Sequence, residues 1–210
     1  MDIFSKLNMM LDRFEIAIST SDLQSINHIL YLIYRGSRNV YNYVLKSKKS
    51  VFEKSIHIQK ISAICDRLVK LISRNIKSIA IADIYVLIET IGMLYRAGCQ
   101  LIIDKLFPIL YGLSRKDLNS LAHLADIMLE CGCVDLAFKV LTQLLGMNYN
   151  CPAVLVNLAI TSYMLGNPRE AKRYAEMYEN LTKRRLALKT SLAIVLGDVE
   201  YISARRNKKH

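Results

Sequence analysis

The chain has 210 residues, of which 52% are hydrophobic, with only three prolines and eight glycines. This length can bury a sizeable core without disulfide bonds, and the composition excludes an intrinsically disordered chain and favours an all-helical one. The net charge is +11, from 29 Lys and Arg against 18 Asp and Glu. The excess lies in residues 1–83 and 181–210, which predicts an acidic partner at the two ends or, alternatively, only a solvated surface.

Cysteine usage and hydropathy indicate a compartment. Five cysteines are an odd number, and the first residues do not resemble a secretory signal, so we expect a reduced, cytoplasmic protein. Residues 78–95 form the most apolar window, but Asp83 and Glu89 interrupt it. The window therefore predicts a buried helix and no transmembrane segment.

The N-terminal region reads as several helices. Apolar residues at spacings of three and four predict an amphipathic helix over residues 2–18. The polar run at 19–22 ends this helix and can cap the next, which is expected to stop near Gly36. A short helix around 40–44 is then predicted before the basic break at 46–50.

A longer helix is predicted over residues 51–73, with one basic side. Together with the basic C-terminal tail, this side is a candidate basic patch for nucleic acid or another acidic partner, although a solvated helix surface is the commoner outcome of such a pattern. The patch consists of Lys54, Lys60, Arg67, Lys70, Arg74, Arg205, Arg206, Lys208 and Lys209.

Three units with starts 34 residues apart follow one another without insertion, at 84–117, 118–151 and 152–183. A period of this length is typical of a helical repeat in which two antiparallel helices form each unit. One glycine series is predicted to end the first helix of each unit in a left-handed conformation, and a second series to end the second helix in the same way. The first series is Gly98, Gly132 and Gly166, and the second is Gly112, Gly146 and Asn180.

Other residues of the repeats carry local expectations. Ala137 and Ala171 are small where the second helix must approach the first closely. Asn167 can cap the last of these helices, with Pro168 at its first position. Pro108 lies inside the second helix of the first unit, where a proline costs about 3 kcal/mol or bends the helix.

Apolar residues between 186 and 199 predict a final helix that covers the open edge of the last repeat, as helical repeats require at their ends. The expected organisation is therefore an N-terminal helical region over residues 1–83, three repeats over 84–183, and a capping helix with a basic tail over 184–210.

The second and third units resemble the tetratricopeptide repeat. The matching pattern is a large apolar residue, a Leu-small pair, Gly, and Ala on the second helix. It is carried by Leu121, Leu124-Ala125, Gly132 and Ala137, and again by Leu155, Leu158-Ala159, Gly166 and Ala171. The first unit departs from it, with Thr90-Ile91 and Ile103. The resemblance implies an all-α, right-handed solenoid that binds other proteins.

In this family, side chains from the first helix of each unit line a concave groove. Carried onto this chain, the groove is mostly apolar and aromatic, which favours an apolar peptide or an amphipathic helix as ligand. The alternative is that an N-terminal helix of the same chain folds back into the groove. The groove residues are Tyr85, Ile88, Tyr95, Arg96, Ala122, Asp126, Leu129, Val156, Ile160, Tyr163 and Met164.

The sequence contains no recognisable catalytic motif, so we expect neither an enzyme nor a cofactor. Phosphate-loop, nucleophile-elbow and metal-helix patterns are absent. Cys131 and Cys133 flank a glycine of the repeat, and small buried side chains are the expected role. His28, His57 and His123 have no evident ligand partners, so no metal site is predicted.

These features favour a non-enzymatic interaction protein. It resembles the small cytosolic chaperones and adaptors of bacterial, type III-like secretion systems, which combine an N-terminal helical segment with about three such repeats. The expected partners are a protein client or a secretion-apparatus subunit in the groove and an acidic partner at the ends, with a second copy of the chain as a further candidate. The alternative function is a nucleic-acid-binding regulator or assembly factor that uses the basic ends.

Overall fold

The computed structural model of the chain describes residues 2–46, 51–79 and 83–184, apart from the side chains of residues 45–46 and 51–54. Over these residues the protein is all-helical, with ten helices and no strand. The chain forms two compact units, residues 1–127 and 128–210. Within the described ranges, no helix is long and apolar enough to cross a membrane.

The first unit contains six complete helices and most of a seventh. Their bounds are α1 Ile3–Thr20, α2 Leu23–Lys46, α3 Val51–Arg74, α4 Ile76–Ile79, α5 Ile84–Arg96, α6 Leu101–Ser114 and α7 Leu118–Glu130. The last turn of α7 belongs to the second unit, together with α8 Val134–Gly146, α9 Pro152–Met164 and α10 Pro168–Thr182.

In the first unit, α1 packs against both α2 and α3, and α2 packs along α5. The side-chain oxygen of Asn27 accepts a hydrogen bond from the backbone N–H of Asp83, 2.8 Å away, just before α5 begins. At the other end of α5, the guanidinium of Arg96 lies 5.7 Å from the ring centre of Tyr41. Helices α2 and α5 therefore run parallel to each other over about four turns.

The predicted break at Gly36 is wrong, because α2 continues through this residue to Lys46. A Cβ atom at position 36 would lie 3.0 Å from Cδ1 of Leu7, which is fully buried in α1. The glycine permits close approach of two helices and does not end one. The helix predicted over 51–73 is confirmed as α3, in which Ile56 and Ala63 are exposed.

The first helices of the three 34-residue units begin at Ile84, Leu118 and Pro152, and each is 13 residues long. Gly98, Gly132 and Gly166 follow them with φ of 114°, 74° and 78°, as predicted. In all three turns the glycine N–H donates to the carbonyl three residues earlier, and the next N–H donates to the carbonyl five residues before it. This pair of bonds is the Schellman arrangement, which satisfies carbonyl groups left free at a helix end.

The prediction for the second glycine series is wrong. Gly112 lies inside α6 and Gly146 is the last residue of α8, neither with positive φ, while Asn180 lies inside α10. After α8 the left-handed residue is Asn148, two positions beyond Gly146. Asn148 fits that position because its short polar side chain tolerates the left-handed region better than most others.

Other local expectations have mixed outcomes. Ala137 and Ala171 are fully buried, as a close helix approach requires. Pro108 is accommodated inside α6 on an exposed position. Asn167 stands at the cap of α10 with Pro168 following it, but its side chain makes no capping hydrogen bond. The helix predicted over 186–199 lies outside the described residues.

Aspartate caps four helices of the first unit. Asp2, Asp22, Asp83 and Asp117 each accept hydrogen bonds from backbone N–H groups in the first turn of α1, α2, α5 and α7. A carboxylate there satisfies donors that have no partner inside the helix and interacts favourably with the helix dipole. By contrast, the N-cap residues of α8, α9 and α10 make no side-chain capping bond.

We expect Gly132→Ala to lower the free energy of unfolding by about 1 kcal/mol, because the left-handed conformation costs a residue with a Cβ roughly this much. A Cβ there would meet nothing within 4 Å, so the loss is conformational and not steric. The matched control is Gly112→Ala, whose position is helical and equally open. It should gain about 0.5 to 1 kcal/mol. Urea unfolding measures both, and equal effects of the two changes would contradict this assignment.

The Asp117 cap should make stability depend on pH. The pKa of Asp117 lies below its ordinary value of 3.8, and the largest cause is its hydrogen bond with the Ser120 hydroxyl. Bonds from the N–H groups of Ser120 and Asn119 and from the Tyr85 hydroxyl act in the same direction. Together they outweigh desolvation, which raises the pKa. A carboxyl group with a lowered folded pKa contributes stability above its unfolded pKa and loses it as the pH falls through the folded value.

At pH 7 we therefore expect Asp117→Ala to lower the free energy of unfolding by about 1 kcal/mol. The difference in the free energy of unfolding between this variant and the wild type should narrow only below pH 3.8, because there the wild-type carboxylate takes up its proton. Asp117→Asn is the control, since asparagine caps nearly as well without ionising. Urea unfolding at several pH values checks this, and a gap for the alanine variant that stays constant to pH 2 would refute it.

Candidate functional site

The predicted groove residues divide between the two units, and in the first unit several are not available to a ligand. Ile88 is completely buried, which corrects its assignment to an open surface. Gly92, on the same face of α5, is also buried, because Ile127 of α7 lies so close that an added Cβ would come within 2.7 Å of its Cγ2 atom. Ala122 is half-buried and Asp126 is exposed.

Helix α2 occupies part of the α5 surface. Arg96 is half-buried, with its guanidinium over the Tyr41 ring of α2 and one nitrogen 3.6 Å from the Met93 sulfur. Tyr95, beside it, is half-buried as well. One predicted groove residue, Arg96, is therefore covered by a helix of the N-terminal region.

Tyr85 belongs to a polar cluster that joins α5 to α7. Its hydroxyl donates to Asp117 at 3.2 Å, and its ring lies 5.4 Å from that of His123. Nε2 of His123 is 3.1 Å from a carboxylate oxygen of Glu89. His123 thus has a structural partner in Glu89 one helix away, which residue spacing within a single helix could not reveal.

His57 packs among aromatic side chains. It stacks on Phe4 with ring centres 5.4 Å apart and meets Tyr43 edge-on at 5.2 Å. These three rings join the start of α1, the end of α2 and the start of α3. Across the described chain, no group of three or more His, Cys, Asp or Glu residues could hold a metal ion.

The groove residues of the second unit lie mainly on α9. Val156, Tyr163 and Met164 are half-buried or exposed, with Tyr163 48% exposed, and Leu129 near the end of α7 is half-buried. Ile160 is only 2% exposed, so its assignment to an open surface is corrected to core. Helix α9 carries no charged residue, and it packs against both α8 and α10.

The basic patch is partly neutralised by α1. Arg67 lies 2.5 Å from Asp12 and 3.2 Å from Glu15, and Lys60 lies 3.7 Å from Asp2. Lys70 and Arg74 are exposed. The side chain of Lys54 and the tail residues Arg205, Arg206, Lys208 and Lys209 lie outside the described part of the chain. The described portion is therefore an ion-paired seam between α1 and α3 with two exposed cations, and not a continuous basic stripe.

None of the five cysteines forms a disulfide bond. The thiols of Cys65 and Cys99 hydrogen-bond to each other, and this bond, followed by burial, raises the pKa of Cys65. Cys131 is buried and Cys133 is half-buried, in agreement with their expected role as small side chains of the repeat. A buried thiol of raised pKa has little thiolate character and is a poor nucleophile.

Comparison with protein-family models, curated proteins and solved structures found no match to this chain.

The ion-paired seam predicts a stability role for Arg67. We expect Arg67→Gln to lower the free energy of unfolding by about 0.5 to 1 kcal/mol, because the guanidinium joins α3 to two carboxylates of α1 at a partly exposed position. Lys70→Gln is the control and should stay within about 0.5 kcal/mol of the wild type. Urea unfolding compares them, and equal stabilities for the two variants would contradict the role given to Arg67.

Proposed function

We propose that this protein is a non-enzymatic binding module that holds an apolar segment of a partner protein on one face of α9. Val156, Tyr163 and Met164 form this face, which we call the α9 face, with Ile160 as its buried floor. The observation that carries the proposal is that α9 has no charged residue in 13 positions and yet leaves Tyr163 about half exposed. An uncharged, partly exposed apolar helix matches an apolar partner and offers nothing to a phosphate backbone.

Helical geometry separates the α9 face from the packed side of the helix. Leu155, Leu158 and Ser162 are buried at spacings of three and four and form one side. At about 100° per residue, Val156 and Tyr163 lie roughly a third of a turn around the helix from that side. They flank the buried Ile160, and the packing of Leu155, Leu158 and Ser162 does not account for a tyrosine and a methionine at these positions. Tyrosine offers a rigid ring with a polar tip and methionine repacks around varied shapes, so both suit a binding surface.

The proposal includes a solenoid of tetratricopeptide type, supported by first helices that begin 34 residues apart and end in the same glycine turn. The narrower role of chaperone or adaptor in a bacterial secretion system follows only from the family resemblance. The comparisons give that role no support, so the proposal concerns the binding of an apolar segment and leaves the pathway open.

Peptides selected from a random display library on the wild-type chain provide the test. We expect the selected peptides to be apolar and to bind Tyr163→Asp at least about tenfold more weakly, since burying a carboxylate against apolar side chains is costly. Tyr31→Asp is a matched control, because Tyr31 on α2 is equally exposed, at 48%. It should leave affinity unchanged. Selected peptides that bind both variants alike would place the site elsewhere.

Salt dependence separates the proposal from the nucleic-acid alternative. Peptide affinity on the α9 face should change less than about twofold between 50 and 200 mM salt, whereas a binder with roughly six phosphate contacts loses about 10³-fold over this range. Steep salt dependence, with retention of DNA or RNA, would overturn the proposed function.

Ile160 serves as an internal check on the geometry. We expect Ile160→Glu to lower the free energy of unfolding by about 3 kcal/mol or more, because it places a charge at a position that is 2% exposed. Tyr163→Asp should leave stability within about 0.5 kcal/mol of the wild type, as is usual at exposed positions. Urea unfolding measures both, and wild-type stability of the Ile160 variant would contradict its burial.

A further inference from the structure

A cleft of about 500 Å³ lies between the C-terminal half of α1 and the N-terminal half of α2. Its size falls in the range of small-molecule sites, which are concave and mostly apolar with a few polar groups that fix the orientation of the ligand. The cleft belongs entirely to the first unit and shares no residue with the α9 face.

The apolar surface of the cleft is unusually open. Ile29 and Leu32 of α2 line it half-buried, and Ile16 of α1 lines it with 64% of its surface exposed. No other large apolar residue in the described chain is more exposed than Ile16. It lies off the stripe with which α1 packs, which contains Leu7, Leu11 and Phe14. A ligand with an apolar body would cover this side chain and remove it from water.

The polar groups of the cleft are of two kinds. The hydroxyls of Thr20 and Ser25 are already bonded, to backbone carbonyls of α1 and to Asp22. Arg13 of α1 and His28 of α2 also line the cleft, and neither forms a hydrogen bond or ion pair with any described residue. These two side chains retain donors for a ligand. Arginine is permanently charged and matches a carboxylate with two parallel donors.

Charge decides the class of ligand. Among the described residues that line the cleft there is no Asp or Glu, so Arg13 is not neutralised from within it. The nearby carboxylates of Asp12 and Glu15 are engaged by Arg67 on α3. The cleft therefore combines an exposed apolar wall with an arginine that has no ion-pair partner among the described residues, and complementarity calls for one anionic group on an apolar body.

We infer that the α1–α2 cleft binds a small amphipathic carboxylate, with the acid on Arg13 and His28 and the alkyl or aryl body over Ile16, Ile29 and Leu32. This site goes beyond the proposed function, because it is a small-molecule site on a different pair of helices. The C-terminal carboxylate of a protein presents the same acid group but has no free alkyl body. An alkyl carboxylate is therefore the probe that tests this inference.

Calorimetric titration of the full chain with decanoate tests the site, with 1-decanol as the uncharged analogue. Decanoate should bind saturably, with 1-decanol at least about tenfold weaker, since charge-assisted hydrogen bonds are about twice as strong as neutral ones. Arg13→Gln should weaken decanoate binding about tenfold and leave 1-decanol unchanged. Ile16→Ser should weaken both, because it removes apolar surface. Both side chains are exposed, and circular dichroism checks that each variant keeps its helicity.

Arg38→Gln is the matched control, because Arg38 is an exposed arginine of α2 outside the cleft. It should leave decanoate affinity within about twofold. Three results would overturn the inference: no saturable binding of decanoate up to about 1 mM, equal effects of the Arg13 and Arg38 changes, or 1-decanol binding as tightly as decanoate. Peptide binding by Tyr163→Asp is measured separately, so failure of one site does not imply failure of the other.

Discussion

The left-handed glycine turn is the constraint on which the repeating part of this structure depends. Gly98, Gly132 and Gly166 each end a 13-residue helix with the same two backbone hydrogen bonds, and the next helix begins two or three residues later. A residue with a Cβ pays a steric cost in that conformation, so the chain reverses cheaply only at glycine. Because the turn occurs at one phase of a 34-residue period, it fixes where every first helix stops.

In the first unit, charged side chains add helix caps and ion pairs to this turn. Aspartates cap four of its helices, and Arg67 and Lys60 of α3 pair with carboxylates of α1. These bonds use part of the positive charge that composition alone suggests is available to a partner. In the second unit the caps of α8, α9 and α10 lack side-chain bonds, and α9 has no charge at all. Helix α9 is therefore held in place by apolar packing, and its exposed face is uncharged as well.

The sequence predicted helix ends correctly at the glycines of the first series, and wrongly at glycines that have another role in the fold. The repeat period placed the starts of α5, α7 and α9, because a left-handed glycine leaves a periodic trace. The prediction that a glycine ends a helix was wrong at Gly36, where the missing side chain allows Leu7 of another helix to approach closely. It was also wrong at Gly112, where an added Cβ would contact nothing within 4 Å. The sequence also did not predict that Ile88 and Ile160 are buried. Position within a helix indicates which way a side chain points, but only tertiary packing determines whether another helix covers it.

Exposure of an apolar side chain acquires functional meaning only from the charges around it. Tyr163 and Ile16 are both well exposed, and neither residue by itself indicates a ligand. Tyr163 stands on a helix without charge, so a charged ligand would find no counter-charge on that helix to offset its desolvation. Ile16 stands beside an arginine that its own cleft does not neutralise, so a ligand lacking an anion would leave that arginine uncompensated. The two proposed sites therefore favour different ligands, an uncharged apolar segment on the α9 face and an anionic one in the α1–α2 cleft.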